Sequence, residues 1–169
     1  LTYIKYVIER ISHLEFETLA DIGCGEGRII CELEKKNLSK KFLGVDISTR
    51  AISFAKAFSN DSEFLVHDIT QKPLEDSVDL IVSCEVIEHI EPTKVKSYID
   101  NIHASLNENG LILLTTPTTN VSVNPKHYQH FTSEIFDKIL GEKFTEIEYQ
   151  YLNRVNMFSK ILERCLSNR

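Results

Sequence analysis

Asp21-Ile22-Gly23-Cys24-Gly25-Glu26-Gly27 stands between a short β-prone run, Glu17 to Ile22, and a stretch from Glu26 to Lys36 in which Ile29, Ile30 and Leu33 fall at helical spacing. Glycines let the backbone turn sharply from strand to helix and let a ligand approach with no Cβ in the way. The free N–H groups that open the next helix can then face an anionic group. In open α/β sheets ligands bind in the crevice beyond the strand ends, where the strand order reverses, so this turn is the first place to look for a site.

The same alternation continues outward. Tyr3 to Leu14 carries Ile4, Val7, Ile8 and Ile11 at helical spacing. Phe42 to Asp46 reads as a strand, Thr49 to Phe58 as a helix and Phe64 to Val66 as a strand. Val78 to Ser83 is nearly continuous in apolar residues, as a strand covered on both faces should be. A helix over Thr93 to Leu106, a turn at Asn109-Gly110 and a buried strand over Leu111 to Thr116 follow. Thr132 to Leu140 is predicted helical, Phe144 to Tyr151 a strand and Val155 to Leu166 a helix. Strands alternating with helices imply βαβ units, hence an α/β, doubly wound fold with a mostly parallel central sheet and helices on both faces. A single domain over residues 1–169 is expected, with one long polar connection, Thr118 to His130, of the kind that often carries function.

The totals narrow the function classes. The chain has 169 residues, 42% of them hydrophobic and 26% charged, with a formal net charge of −6. That balance argues against gripping nucleic acid by phosphate neutralisation. Cys24, Cys31, Cys84 and Cys165 form no C-x-x-C pair, so neither a zinc knuckle nor a redox dithiol is signalled. Reduced thiols in a cytoplasmic protein are expected. No apolar run is long enough to span a membrane, and no signal peptide is expected.

The charges around the glycines bear on the ligand. The dinucleotide fingerprint G-x-G-x-x-G is missed, because Gly27 comes one residue early, and Asp21 and Glu26 flank the turn. Carboxylates beside a pyrophosphate would cost a few kcal/mol at close range in a partly buried site, whereas beside an ammonium or sulfonium they would attract. A nicotinamide dinucleotide is therefore disfavoured and a cationic cofactor favoured. Asp46, closing the second strand, can accept two hydrogen bonds from a ribose diol. Asp68, closing the third, can face an adenine amino group, with Ile69 beside the ring. The bland alternatives are a glycine turn with no ligand, a strand-end helix cap at Asp46 and a plain surface acid at Asp68.

Taken together, Asp21 to Gly27, Gly44-Val45-Asp46-Ile47-Ser48, Val82-Ser83-Cys84-Glu85-Val86-Ile87-Glu88-His89 and Asn109-Gly110-Leu111-Ile112-Leu113 resemble the class I S-adenosylmethionine-dependent methyltransferase superfamily over about residues 1 to 150. The resemblance implies that Asp21, Gly23 and Gly25 meet the methionine end of the cofactor, Asp46 the ribose, and Asp68 and Ile69 the adenine. Cys84 or Glu85 then edges the transfer site, and Cys24 and Ile47 complete the cofactor-binding set. In that superfamily a seventh strand runs antiparallel beside the sixth. Because Val155 to Leu166 reads as a helix, the last strand is expected to be missing or the C-terminus to depart from the pattern.

Glu85-Val86-Ile87-Glu88-His89 follows the fourth strand, beside the expected reactive methyl. Methyl transfer is an in-line displacement, so the protein has to position the nucleophile and take up its proton. His89 suits that role near neutral pH, with Glu88 as its catalytic companion. The E-x-x-E-H segment also resembles ubiquinone-biosynthesis O-methyltransferases and small-RNA 2′-O-methyltransferases, which implies a divalent cation, Mg²⁺ or Mn²⁺, held by Glu85, Glu88, His89 and His127 or His130. A metal-free acid/base pair and a purely structural role for the segment stand beside that reading. Tyr98 and Tyr128 are read as packing residues with a secondary claim to shaping a substrate pocket. The expected activity is methyl transfer to a small or medium acceptor at oxygen or nitrogen, with a small molecule favoured over nucleic acid as partner, no membrane, and the oligomeric state open. The rivals are a non-catalytic S-adenosylmethionine-binding subunit and an NAD-dependent oxidoreductase.

Overall fold

The computed structural model describes residues 3–36, 40–59, 61–117, 125–153 and 160–168, with the backbone alone for 151–153 and 160–168. The elements are α1 (Tyr3–Ser12), β1 (Thr18–Ile22), α2 (Arg28–Glu34), β2 (Lys41–Asp46), α3 (Thr49–Phe58), β3 (Glu63–Val66), β4 (Val78–Cys84), α4 (Val95–Ala104), β5 (Leu106–Pro117), α5 (Ser133–Leu140), β6 (Phe144–Asn153) and β7 (Lys160–Asn168). Two short 3₁₀ turns, Ile87–His89 and Pro92–Lys94, join β4 to α4.

The seven strands lie in the order β3-β2-β1-β4-β5-β7-β6. The first five are parallel, and β7 runs antiparallel to both β5 and β6. Strand order reverses between β1 and β4, so the ends of these two strands flank the crevice in which such sheets bind ligands.

Alternation along β4 shows how the sheet acquires two cores. Leu80 and Val82 point to the face covered by Val7 and Ile11 of α1, Ile30 and Leu33 of α2 and Ile52 of α3. Ile81 points to the other face, against Ile99 and Ile102 of α4 and Phe136 and Leu140 of α5. These side chains are fully or nearly fully buried, and each such Leu or Ile contributes about 1.5–3 kcal/mol. Caps fix where helices begin: Ser48 Oγ accepts from Ala51 N at the start of α3, and Thr132 Oγ1 from Ile135 N at the start of α5.

At the N-terminal ends of the strands, Asp79 of β4 ties three segments together. Its Oδ2 accepts from the backbone N–H groups of Glu17 and Thr18 and from the Thr18 hydroxyl at 2.9–3.0 Å, and its Oδ1 from the Asn107 side-chain amide at 2.7 Å. These hydrogen bonds, the Asn107 one foremost, hold the Asp79 carboxyl down at a pKa of about 2.

The C-terminus corrects the sequence reading. Residues 160–168 form β7, inserted between β5 and β6 with partners from Leu111↔Ser167 to Pro117↔Ile161, so the seventh strand is present and the helix expected up to Leu166 is not. The start of that expected helix, 155–159, and residues 118–124 of the long connection lie outside the described residues.

Candidate functional site

The glycine turn is built by three left-handed residues, Gly23 (φ 73°), Gly25 (φ 55°) and Gly27 (φ 76°). Gly23 and Cys24 both donate their N–H to the Val45 carbonyl, at 2.8 and 3.0 Å, which pins the turn to β2. At Gly23 a Cβ would stand 2.4 Å from Val86 Cγ2, whereas at Gly25 it would meet nothing within 4 Å. Gly23 is thus required by packing as well as by backbone, and Gly25 by backbone alone.

Asp46 closes β2 and holds this turn. Its Oδ2 accepts from Gly25 N at 2.9 Å and its Oδ1 from Ser48 N at 2.8 Å. Asp21 lies behind the turn, 2% exposed, with Oδ2 buried and without a hydrogen-bond partner. Burial first, and the nearby Asp46 second, push its carboxyl up to about 7. A buried carboxylate oxygen with no hydrogen-bond donor is a ready acceptor for a cationic group.

Beyond the ends of β1, β2, β3 and β4 opens a cleft of about 280 Å³, at the lower end of the range for small-molecule sites. Gly23, Asp46, Ile47, Asp68, Ile69 and Glu85 line it, as does His89. Asp21, Cys24, Gly25 and Cys84, also expected at the cofactor, are not among its lining residues. Asp68 Oδ1 accepts from the Thr70 N–H and hydroxyl, at 2.9 and 2.7 Å, which leaves its Oδ2 outside that turn. Ile69 is buried, while Ile47 is 73% exposed at the rim. The cleft therefore fits a nucleoside cofactor with a cationic tail: acids near the ends of β1, β2 and β3, an apolar floor and a turn that meets the cleft at a glycine, Gly23.

After β4 the chain turns at Glu85, a non-glycine residue with φ 57°. Its N–H donates to the Thr115 carbonyl at 2.9 Å and its Oε1 accepts from the Thr115 hydroxyl at 3.2 Å. Glu88 is fully buried, with Oε2 accepting from Thr116 Oγ1 at 3.1 Å and Oε1 lacking a partner. Desolvation raises its carboxyl to about 7. Beneath this segment Tyr98, fully buried, bonds Ser83 at 2.5 Å, which confirms its packing role.

His89 is exposed at the cleft, and its Nδ1 lies 3.0 Å from the Lys126 carbonyl. That acceptor makes Nδ1 the protonated nitrogen and leaves Nε2 basic. Tyr128 N–H donates to the Glu88 carbonyl at 2.8 Å, so two hydrogen bonds clip residues 126–128 onto the Ile87–His89 turn. His127 packs edge-on to His89 with ring centroids 4.7 Å apart, and its Nδ1 lies 3.0 Å from His130 Nε2.

The metal-ligand set expected from the sequence is regrouped by this geometry. Among the described residues Glu88, His89 and His127 offer ligand atoms all within 4.8 Å of one another. Glu85 and His130 are not in that group: one is bonded to Thr115, the other stands behind His127. Val86, Ile90, Thr115 and Thr116 belong to the site and were not singled out from the sequence. The paired hydroxyls of Thr115-Thr116, ending an otherwise apolar strand, are the signal that could have found two of them.

Comparison with known proteins agrees with this arrangement. Residues 20–114, more than half of the chain, match the family described as "Methyltransferase domain". A carboxy-S-adenosyl-L-methionine synthase from Nautilia profundicola is 30% identical over 103 residues, 59% of this chain and 44% of that protein. A ubiquinone biosynthesis O-methyltransferase from Rickettsia canadensis is 26% identical over 121 residues, 67% of this chain and 50% of its own length. The chain thus spans about half the length of these curated relatives, or less. The crystal structure of the N-methyltransferase NodS from Bradyrhizobium japonicum, in complex with S-adenosyl-L-homocysteine, superimposes with a TM-score of 0.77 at 23% identity, covering 96% of this chain and 84% of that one. Seven strands in this order, a glycine turn at the switch point and the sequence match lead to one conclusion: the chain belongs to the methyltransferase-domain family, within the class I S-adenosylmethionine-dependent superfamily.

Proposed function

We propose that this chain binds S-adenosylmethionine in the cleft and transfers its methyl group to an oxygen or nitrogen of a small or medium acceptor. The observation that carries the reading is His89, exposed on the cleft wall with Nδ1 engaged by the Lys126 carbonyl and Nε2 left as a base. S-adenosylmethionine, when bound, supplies an electrophilic methyl on a sulfonium. The chain's own part is to bind, orient and move a proton. Gly23 and Gly25 keep side chains out of the turn, Asp46 holds that turn and has lone pairs left for a diol, and ionised Asp21 supplies negative charge behind it. His89 Nε2 accepts the acceptor's proton, while Glu88, buried and bonded to Thr116, shares the turn that aims the imidazole.

A second reading adds a divalent cation, Mg²⁺ or Mn²⁺, and the grouping of Glu88, His89 and His127 favours it. Two imidazoles and one carboxylate suit Mn²⁺ better than Mg²⁺, which prefers oxygen ligands. The net charge of −6 speaks for a small-molecule acceptor over nucleic acid. Among the described residues no helix is long and apolar enough to cross a membrane, and Cys24, Cys31 and Cys84 are in no disulfide, which suits a cytoplasmic setting.

Calorimetric titration of S-adenosylmethionine, S-adenosylhomocysteine and NAD tests the reading, each with and without Mg²⁺ or Mn²⁺ and with a chelator. Micromolar binding of the two adenosyl ligands and none of NAD is the expected result. Binding of NAD alone would overturn it in favour of an oxidoreductase. Cofactor binding without turnover on any acceptor panel would favour a non-catalytic subunit.

A further inference from the structure

Exposed large apolar side chains are concentrated on one edge of the molecule. Phe58 is 66% exposed on α3, Val66 52% and Leu65 48% on β3, with Phe54 also on α3. Four of the seven such residues among those described belong to this helix and strand, the others being Ile47 at the cleft rim, Tyr128 and Ile135. Among the described residues β3 ends the sheet and pairs with β2 alone. A contiguous apolar edge beside an open strand marks an association surface.

We infer that this edge binds the same edge of a second copy of the chain, with β3 pairing antiparallel to its twin about a two-fold axis at Leu65. The main chain selects the allowed registers. In parallel pairing alternate residues bond to the neighbouring strand, and His67 N donates to the Asp46 carbonyl. Glu63, Leu65 and His67 therefore turn their backbone groups toward β2, and Phe64 and Val66 turn theirs outward. An isologous antiparallel pair must set outward residues against outward residues.

Side chains then choose among the registers that remain. With the axis at Leu65, Phe64 faces Val66, Leu65 faces itself and Glu63 faces His67, so apolar meets apolar and an acid meets an imidazole. An axis at Phe64 sets Leu65 against Glu63, and one at Val66 sets Phe64 against Asp68. The strand is thus complementary to itself in one register only.

The helix above it obeys the same axis. A Cβ on Gly27 would touch both Phe64 and Ala55, so the middle of α3 sits level with the middle of β3. In an antiparallel α3 pair Phe54 meets its twin near the axis and Arg50 reaches the partner's Phe58 end. Arg50 already lies over its own Phe54, 5.7 Å from the ring centroid, so a cation–π contact with the partner needs no new chemistry. Four-residue strands alone would hold weakly, and the helix pair supplies the apolar area.

Sedimentation equilibrium of the 169-residue chain, from low to high micromolar, tests the inference. Twice the chain mass is expected, with Phe58→Glu weakening the dimer roughly tenfold or more. Val66→Pro removes an outward N–H without breaking the β2 ladder and should do the same. Leu65→Cys should oxidise to a covalent dimer under conditions where the parent and Glu63→Cys do not, because only Leu65 faces itself. A chain monomeric throughout that range overturns the inference. So does a dimer indifferent to Phe58→Glu and Val66→Pro, or one in which Leu65→Cys stays uncrosslinked.

Discussion

Gly25 and Asp46 are joined directly: the backbone N–H of the glycine donates to Asp46 Oδ2 at 2.9 Å. One carboxylate thus orders the glycine turn and itself lines the cleft. Asp46→Ala removes this bond together with that to Ser48 N. A hydrogen bond to a charged group contributes about 1.5–3 kcal/mol, so cofactor affinity should fall roughly 10–100-fold. Titration with S-adenosylhomocysteine measures it, and unchanged affinity would refute the role given to Asp46.

Two glycines of the same turn should respond differently to a methyl group. Gly25→Ala should cost about 1–2 kcal/mol from its left-handed backbone alone. Gly23→Ala carries the same strain plus the collision with Val86 Cγ2, so it should cost more. Val86→Ala in the Gly23→Ala background should recover part of that excess. Urea unfolding of the three variants settles the comparison.

Asp21 and Glu88 make stability fall as pH rises. Each carboxyl is raised from its ordinary value, 3.8 or 4.5, to about 7, so the native state binds the proton more tightly than the unfolded chain. Their contribution is full below those ordinary values and is lost as pH climbs through about 7. Asp21→Asn should flatten the decline in melting temperature of the ligand-free protein across that window. It should also abolish the rise in affinity for a cationic cofactor over the same range. A cofactor affinity that still rises with pH in the variant would separate Asp21 from the cationic tail.

His89→Ala should lower turnover by roughly 10²–10⁴-fold, the usual contribution of a positioned base, while cofactor affinity changes far less. Added imidazole should restore part of the rate. Turnover indifferent to the substitution would place the base elsewhere.

At the other end of the sheet, Asp79→Ala should cost roughly 2–3 kcal/mol and leave cofactor affinity unchanged, since its four acceptor bonds join Glu17, Thr18 and Asn107 only. Because its carboxyl is held at about 2, the contribution is present above 3.8 and lost as pH falls toward 2. Thermal melts of parent and variant should therefore converge in acid.

Much of this was legible in the residues. β4 announced itself because a strand covered on both faces is apolar throughout, and Thr132 marked the start of α5 because its hydroxyl caps it. The acids around the cleft stood out because Asp21, Asp46 and Asp68 lie at or near the ends of successive strands. β7 was misread for a physical reason: Ile161, Leu162, Cys165 and Leu166 recur at helical spacing, while the strand is held by backbone pairing to β5 and β6, which no local pattern encodes. His127 joins His89 only because two hydrogen bonds fold the 126–128 segment back on the Ile87–His89 turn. No local pattern encodes that closure. The same holds for Glu85, drawn off the ligand set by a threonine 30 positions away.

The Asp79 clamp and the glycine turn occupy opposite tips of the same parallel strands. A laboratory seeking a hardier protein can therefore reinforce the Glu17–Thr18–Asp79–Asn107 tip without touching the cleft. One seeking to alter the cleft can vary Lys126 to Tyr128, clipped beside His89, while the opposite tip keeps the scaffold standing. Durability and cleft chemistry become separately tunable properties of one sheet.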